Sequence, residues 1–191
     1  MKKTNKGLKK LALCSVMVAL ATVLSLIKVW QMPLGGSITL LSMLPIILIS
    51  YLLDVKWGLV SAFVYSLIQL GLGIMLEGVL GWGLTPLSLC GTIFLDYIIP
   101  FTLLGLAGMF AKKNVYLLIP GAAAVLILRF ISHLISGVII FNIWCEWDNV
   151  WLYSICYNGA FMLPELIITT FAVALLCVSG ALKRIKKFSE R

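Results

Sequence analysis

A chain of 191 residues that is 62% hydrophobic and only 12% charged lacks the make-up of a soluble domain, which runs about half apolar and about a quarter charged. Its mean hydropathy of +1.10 means more apolar surface than so small a globule can hide, and lipid is the solvent that fits. The net charge of +8 would suggest nucleic acid, but the basic residues stand in clusters outside the apolar runs, where they act as orientation signals.

Lys2, Lys3, Lys6, Lys9 and Lys10 precede the first apolar run, read as span one at about 11–29. The run is long, no small-residue cleavage site follows it, and five more runs come after, so a retained helix is expected rather than a signal peptide. Spans two to six fall at about 39–53, 57–76, 87–111, 115–141 and 151–182. Lys112 and Lys113 separate spans four and five, and Lys183, Arg184, Lys186, Lys187 and Arg191 follow span six. Counting crossings puts every basic cluster on the side of the N-terminus and leaves Lys28, Glu77, Glu146 and Asp148 on the other. The positive-inside rule then predicts cytoplasmic N- and C-termini. Span two is short against the usual ~20 residues, which predicts a tilted or partly buried helix. The expected fold is an all-α membrane protein, a six-transmembrane-helix bundle forming one domain over 1–191.

Cys14, Cys90, Cys145, Cys156 and Cys177 are scattered without a C-x-x-C pair, so neither a metal site nor a disulfide framework is expected. No nucleotide-hydrolysis or hydrolase motif occurs, and no enzyme, cofactor or metal is predicted.

Chemistry is instead expected from the polar residues inside the apolar spans, because ionisable groups in a membrane are costly and mark functional sites. These are Gln69 in span three, Asp96 in span four, Arg129 and His133 in span five, and Asn158 and Glu165 in span six. At a rise of about 1.5 Å per residue, Gln69, Asp96, His133 and Asn158 lie about 10–13 Å below the outer ends of their helices. Arg129 and Glu165 lie deeper, at about 18 and 21 Å. Four helices thus carry polar groups at one level, as a pocket loaded from outside would require.

Structural alternatives stand beside this reading. Asp96 neutralises Arg129, or Arg129 pairs with Glu165 and leaves Asp96 free for a ligand. His133, Asn158 and Gln69 can each tie helices together. Trp30, Trp82, Trp144, Trp147 and Trp151 suit an interfacial aromatic belt, yet a carboxylate below aromatic rings is also a receptor for an organic cation. Ser15 and Ala19, four apart on span one, form a small-xxx-small pair that lets another helix approach closely.

Four stretches occur in order along the chain: Gly35-Gly36-Ser37-Ile38-Thr39 with Met43-Leu44-Pro45; Phe94-Leu95-Asp96-Tyr97; Arg129 to His133 with Ser136-Gly137; and Leu152-Tyr153-Ser154 with Tyr157-Asn158-Gly159. Together they resemble the ThiT family, the thiamine-specific substrate-binding (S) components of energy-coupling factor (ECF) vitamin transporters, from about Leu11 to Cys177. The resemblance implies a six-helix receptor that holds thiamine near the extracellular side. It further implies docking to a transmembrane coupling protein and two cytosolic ATPases. It carries the thiamine site onto Asp96, His133, Tyr153 and Asn158, with Phe141 as the stacking aromatic; Tyr97 and Gly137, which stand in the same stretches, and Gln69, which stands at the same depth, are expected as further lining. It carries the docking motif onto Ser15 and Ala19. In that site Asp96 would oppose the thiazolium charge, His133 and Phe141 would stack on the flat rings, and Tyr153 would add a hydroxyl bond. Asn158 would offer both a donor and an acceptor to the aminopyrimidine edge. This chain has Asp96 where some relatives carry Glu, and Phe141 where some carry Trp.

Overall fold

The computed structural model describes residues 6–33 and 35–189. Lys2, Lys3 and Arg191 of the basic clusters lie outside the described residues. Helix α1 (Lys6–Leu26) leads into an antiparallel hairpin, β1 (Lys28–Gln31) with β2 (Ser37–Thr39), and then into α2 (Leu44–Leu52). The long helices α3 (Val55–Glu77), α4 (Pro86–Met109), α5 (Val115–Ile139) and α6 (Val150–Val178) follow, and α7 (Ala181–Ser189) closes the order. Five of these, α1 and α3 to α6, are long and apolar enough to cross a membrane. Their outer faces carry side chains such as Leu87 and Met75, 84% and 82% exposed, a surface that suits lipid rather than water.

Local sequence explains where the long helices begin. Asp54, Thr85, Asn114 and Asn149 precede α3, α4, α5 and α6, and each side chain accepts a backbone N–H of the first turn, from Trp57, Ser88, Tyr116 and Leu152. Each bond satisfies an amide that the helix itself cannot.

The run expected as span two does not form a crossing helix. Residue 39 ends β2, Leu41 turns with a φ of 59°, and α2 supplies only nine residues. That is about 14 Å of helix against a hydrocarbon core of about 30 Å. Pro45 sits in its first turn, where the missing N–H is no loss. Every residue from Pro45 to Leu52 is buried, because α2 is wrapped by α1, α3, α4 and α7. The run is apolar because it is interior to the bundle. Span six also ends early: Gly180, with a φ of 70°, turns the chain after α6, and residues 181–182 belong to α7. This short basic helix lays Lys186 over the Tyr51 ring at 4.5 Å.

Two helices depart from α geometry where they matter most. Residues Gly73–Glu77 of α3 and Ile93–Ile98 of α4 are π-helical, and Gly78 and Ile99 donate back five residues, to Gly73 and Phe94. Pro100 lacks the N–H that would have bonded the Asp96 carbonyl, so regular pairing fails just where Asp96 and Tyr97 sit. The two wide turns face each other: a Cβ on Gly73 would stand 2.3 Å from the Tyr97 hydroxyl. Wide turns of this kind shift the register of the side chains beyond them.

Candidate functional site

The C-terminal ends of α1 and α3, the hairpin, and parts of α4, α5 and α6 enclose a cavity at one end of the bundle. Its volume is about 120 Å³, where about 10–15 Å³ admits a single water. All eight residues expected to bind substrate line it: Gln69, Asp96, Tyr97, His133, Gly137, Phe141, Tyr153 and Asn158. Arg129 and Glu165 line it too.

A hydrogen-bonded chain runs through the cavity wall. Arg129 can only donate, so its Nε, 3.3 Å from His133 Nε2, makes that nitrogen an acceptor and places the imidazole proton on Nδ1. Nδ1 then donates to Asp96 Oδ1 at 2.9 Å, and the Ser136 hydroxyl donates to Oδ2 at 2.5 Å. The His133 ring is therefore neutral and links the Arg129 cation to the Asp96 anion. Arg129 also stacks 4.2 Å from the Phe101 ring centroid and contacts Met43 Sδ. No carboxylate lies within ion-pair distance of Arg129 among the described residues, so neither direct pairing considered from the sequence occurs. Glu165 accepts instead from the backbone N–H and the hydroxyl of Thr39, fastening α6 to the end of β2.

The amide of Asn158 is half spent. Its Nδ2 donates to the carbonyls of His133 and Ser154, at 3.3 and 3.0 Å. Only Oδ1 is without a partner among the described residues, so Asn158 offers the cavity an acceptor and not the donor–acceptor pair expected from its residue type. Gln69 Nε2 donates to Ser25 Oγ at 2.8 Å and ties α3 to α1, which makes it interhelical glue as well as lining. Phe141 packs on Trp82, with ring centroids 5.9 Å apart, and on Trp144, at 5.6 Å. Of the tryptophans read as a belt, Trp82 alone lines the cavity among the described residues, while Trp30, Trp147 and Trp151 are about half exposed.

Sequence reasoning passed over several residues that the fold brings in. Tyr157 donates its hydroxyl to the carbonyls of Pro33 and Gly35 in the hairpin turn, while its ring packs on Tyr153 and Phe161. Gly36 has a φ of +76°, and a Cβ there would meet the Phe161 ring at 2.8 Å, so the turn is drawn tightly onto α6. Glu77 and Lys28 also line the cavity, joined Oε1 to Nζ at 2.7 Å. Their opposite charges, placed on one expected side of the membrane, were the available signal. Among the lining side chains are three carboxyl groups (Glu77, Asp96, Glu165) and two cationic groups (Lys28, Arg129).

Ser15 and Ala19 take no part in the cavity. Both are exposed on α1, and the Ser15 hydroxyl turns back to the Leu11 carbonyl at 3.0 Å.

Three comparisons agree with the motifs. A solved structure of ThiT from Listeria monocytogenes superposes with a TM-score of 0.73 at 21% identity, covering 95% of this chain and 99% of that one; this likeness shows the fold. The thiamine transporter ThiT of Bacillus subtilis (strain 168) is 32% identical over 92% of this chain and 94% of its own length. The family model described as "Thiamine transporter protein (Thia_YuaJ)" matches residues 11–184. The chain belongs to the thiamine transporter protein (Thia_YuaJ) family.

Proposed function

We propose that this protein is the thiamine-binding S component of an ECF-type transporter, with six membrane-embedded helices, α1 to α6, and both termini in the cytoplasm. The observation that carries the reading is the cavity itself, which combines aromatic walls, a set of fixed hydrogen-bonding groups and more carboxyl than cationic side chains. Thiamine carries one permanent positive charge on a flat ring, so charge and shape both match. Asp96 accepts one bond from His133 and one from Ser136, and a carboxylate has about four acceptor positions. Two remain for the ligand. Asn158 Oδ1 accepts from the aminopyrimidine, Phe141 and the neutral His133 ring stack, and Tyr153 adds its hydroxyl. An analogue that lacks one of these groups leaves a buried polar atom unpaired, which supplies discrimination.

The exposed Ser15 and Ala19 on α1 support docking to a transmembrane coupling protein, whose two cytosolic ATPase partners supply the energy for import. The basic residues Lys6, Lys9, Lys10, Lys112, Lys113 and Lys183 support the orientation. The test has two parts. Purified protein binds thiamine one to one, read by tryptophan quenching, and uptake into vesicles needs the coupling protein and ATPases. Ser15→Trp with Ala19→Trp abolishes uptake and leaves binding intact. Uptake that survives this pair of substitutions places the docking surface elsewhere; a protein that binds no thiamine ends the proposal.

A further inference from the structure

The end of the bundle opposite the cavity carries a basic surface that ligand binding does not use. Gly180 turns the chain out of α6, and α7 then packs back on α2. Leu182, with no exposed surface, seats the helix in the core, while Lys183, Arg184, Ile185 and Lys187 stay exposed. Two tyrosines hold amines of this helix in place. Lys183 Nζ stands 5.9 Å from the centroid of the Tyr116 ring at the start of α5, and Lys186 Nζ 4.5 Å from that of Tyr51 near the end of α2. Arg184 donates to the Ser179 carbonyl at 3.0 Å and closes the turn between α6 and α7. The exposed pair Lys112 and Lys113 directly precedes α5, close in sequence to the tyrosine that α7 reaches. Asp54 is the one carboxylate at this end among the described residues, and it is engaged by the Trp57 amide and, at 3.8 Å, by Lys10.

We infer that α7 and the Lys112–Lys113 turn form a binding surface for the headgroups of anionic phospholipids. An orientation signal needs charge alone. It needs no turned helix, no buried leucine to seat that helix, and no aromatic faces to fix its amines. A surface that holds phosphate gains from all three, because amines already in place cost less to order. Depth favours lipid over a soluble anion or an acidic protein. At about 1.5 Å per residue, the 29 residues of α6 span about 43 Å, which matches a hydrocarbon core with both headgroup layers. The chain therefore enters α7 at the level of the phosphates. With Leu182 inward, Ile185 at the flank and its cations outward, α7 has the pattern of a helix lying in that layer. Clustered basic residues beside a membrane-crossing helix are drawn to an anionic leaflet, and the engaged Asp54 leaves little within the protein to oppose them.

The experiment follows thermal unfolding of the full chain in neutral detergent with added phosphatidylglycerol, phosphatidylcholine or inorganic phosphate. A lipid that binds the folded state raises the unfolding temperature. Phosphatidylglycerol should raise it by several degrees more than phosphatidylcholine does, and inorganic phosphate should leave it nearly unchanged. Lys183→Gln with Lys186→Gln should remove more than half of that difference, and Lys183→Arg with Lys186→Arg should keep it. Lys112→Gln with Lys113→Gln, in the exposed turn, should also reduce it, and decides the matter if the glutamine variant of α7 does not fold. Lys6→Gln with Lys9→Gln removes the same charge at the start of α1 and should keep most of it. No preference for phosphatidylglycerol, an equal shift with inorganic phosphate, or an equal loss in the α1 variant would each overturn the inference. An α7 variant that keeps its lipid response but loses uptake with the coupling protein and ATPases would make this face a protein dock, and overturns it too.

Discussion

The two ends of this bundle are built on opposite plans. Around α2, backbone meets backbone: a Cβ on Gly105 would stand 2.6 Å from the Gly58 carbonyl group, one on Gly108 2.3 Å from the Ser50 oxygen, and one on Gly121 2.4 Å from the Ala107 oxygen. The Ser50 hydroxyl accepts the Gly108 N–H at 2.7 Å and fills the remaining polar valence. At the other end helices are held apart by side chains that bond to one another around open space. The packed end fixes where the helices stand, so that the polar groups of the cavity are in place before any ligand arrives. Pre-positioned groups cost less to engage than groups that must first be ordered.

If this division holds, substitutions at the two ends should fail in different ways. Gly105→Leu forces a side chain into backbone, and overpacking of this kind costs about 1–3 kcal/mol or more. It should abolish monodisperse protein or lower the unfolding temperature by many degrees, as seen by size exclusion and thermal scanning. A stable Gly105→Leu variant would show that the end around α2 is not the rigid floor. Asp96→Asn changes no volume but removes a charge-assisted acceptor worth about 1.5–3 kcal/mol. Thiamine affinity should fall by about 10- to 150-fold by this measure, with the unfolding temperature nearly unchanged. Loss of fold instead would make Asp96 part of the scaffold.

A smaller effect is expected at the hairpin. Tyr157→Phe removes the bonds to the Pro33 and Gly35 carbonyls, about 1 kcal/mol together with the ring left in place. Stopped-flow release of thiamine should quicken about fivefold; an unchanged release rate would mean that the turn does not cover the ligand. The smallest effect should come from Gly159→Ala on α6, where nothing lies within 4 Å of the added carbon. Alanine improves on glycine in a helix by up to about 1 kcal/mol, so the unfolding temperature should hold or rise slightly with binding intact. A clear drop would place an unseen neighbour there.

The cavity was more legible in the sequence than the packed end. Gln69, Asp96, His133 and Asn158 interrupt apolar runs, and a polar residue in lipid must face something polar; topology and helical rise then bring them to one level. Hydropathy reads composition and not surroundings, so α2 read as a short span, tilted or partly buried, where the structure has a nine-residue interior helix. The π-helical turns were hidden for a related reason. Pro100 announces a missing N–H, but whether the helix kinks, widens or ends depends on what Gly73 and Tyr97 allow across the interface. Glu77 and Lys28 stood at the ends of runs, where charges usually meet water, and only the hairpin folding back over α3 reveals them as a pair. Asn158 shows a further limit: residue type announces donors and acceptors, while Ser154 and His133 decide which of them are still free.

The chain from Arg129 through His133 to Asp96 can be tested as a unit by a double-substitution cycle on thiamine affinity, with Asp96→Asn, His133→Ala and both together. If the two groups build one site, each single substitution weakens binding by at least about tenfold, and the double variant is no more than about threefold weaker than the worse single one. Losses that multiply in the double variant, or single variants that bind thiamine like wild type, would contradict it.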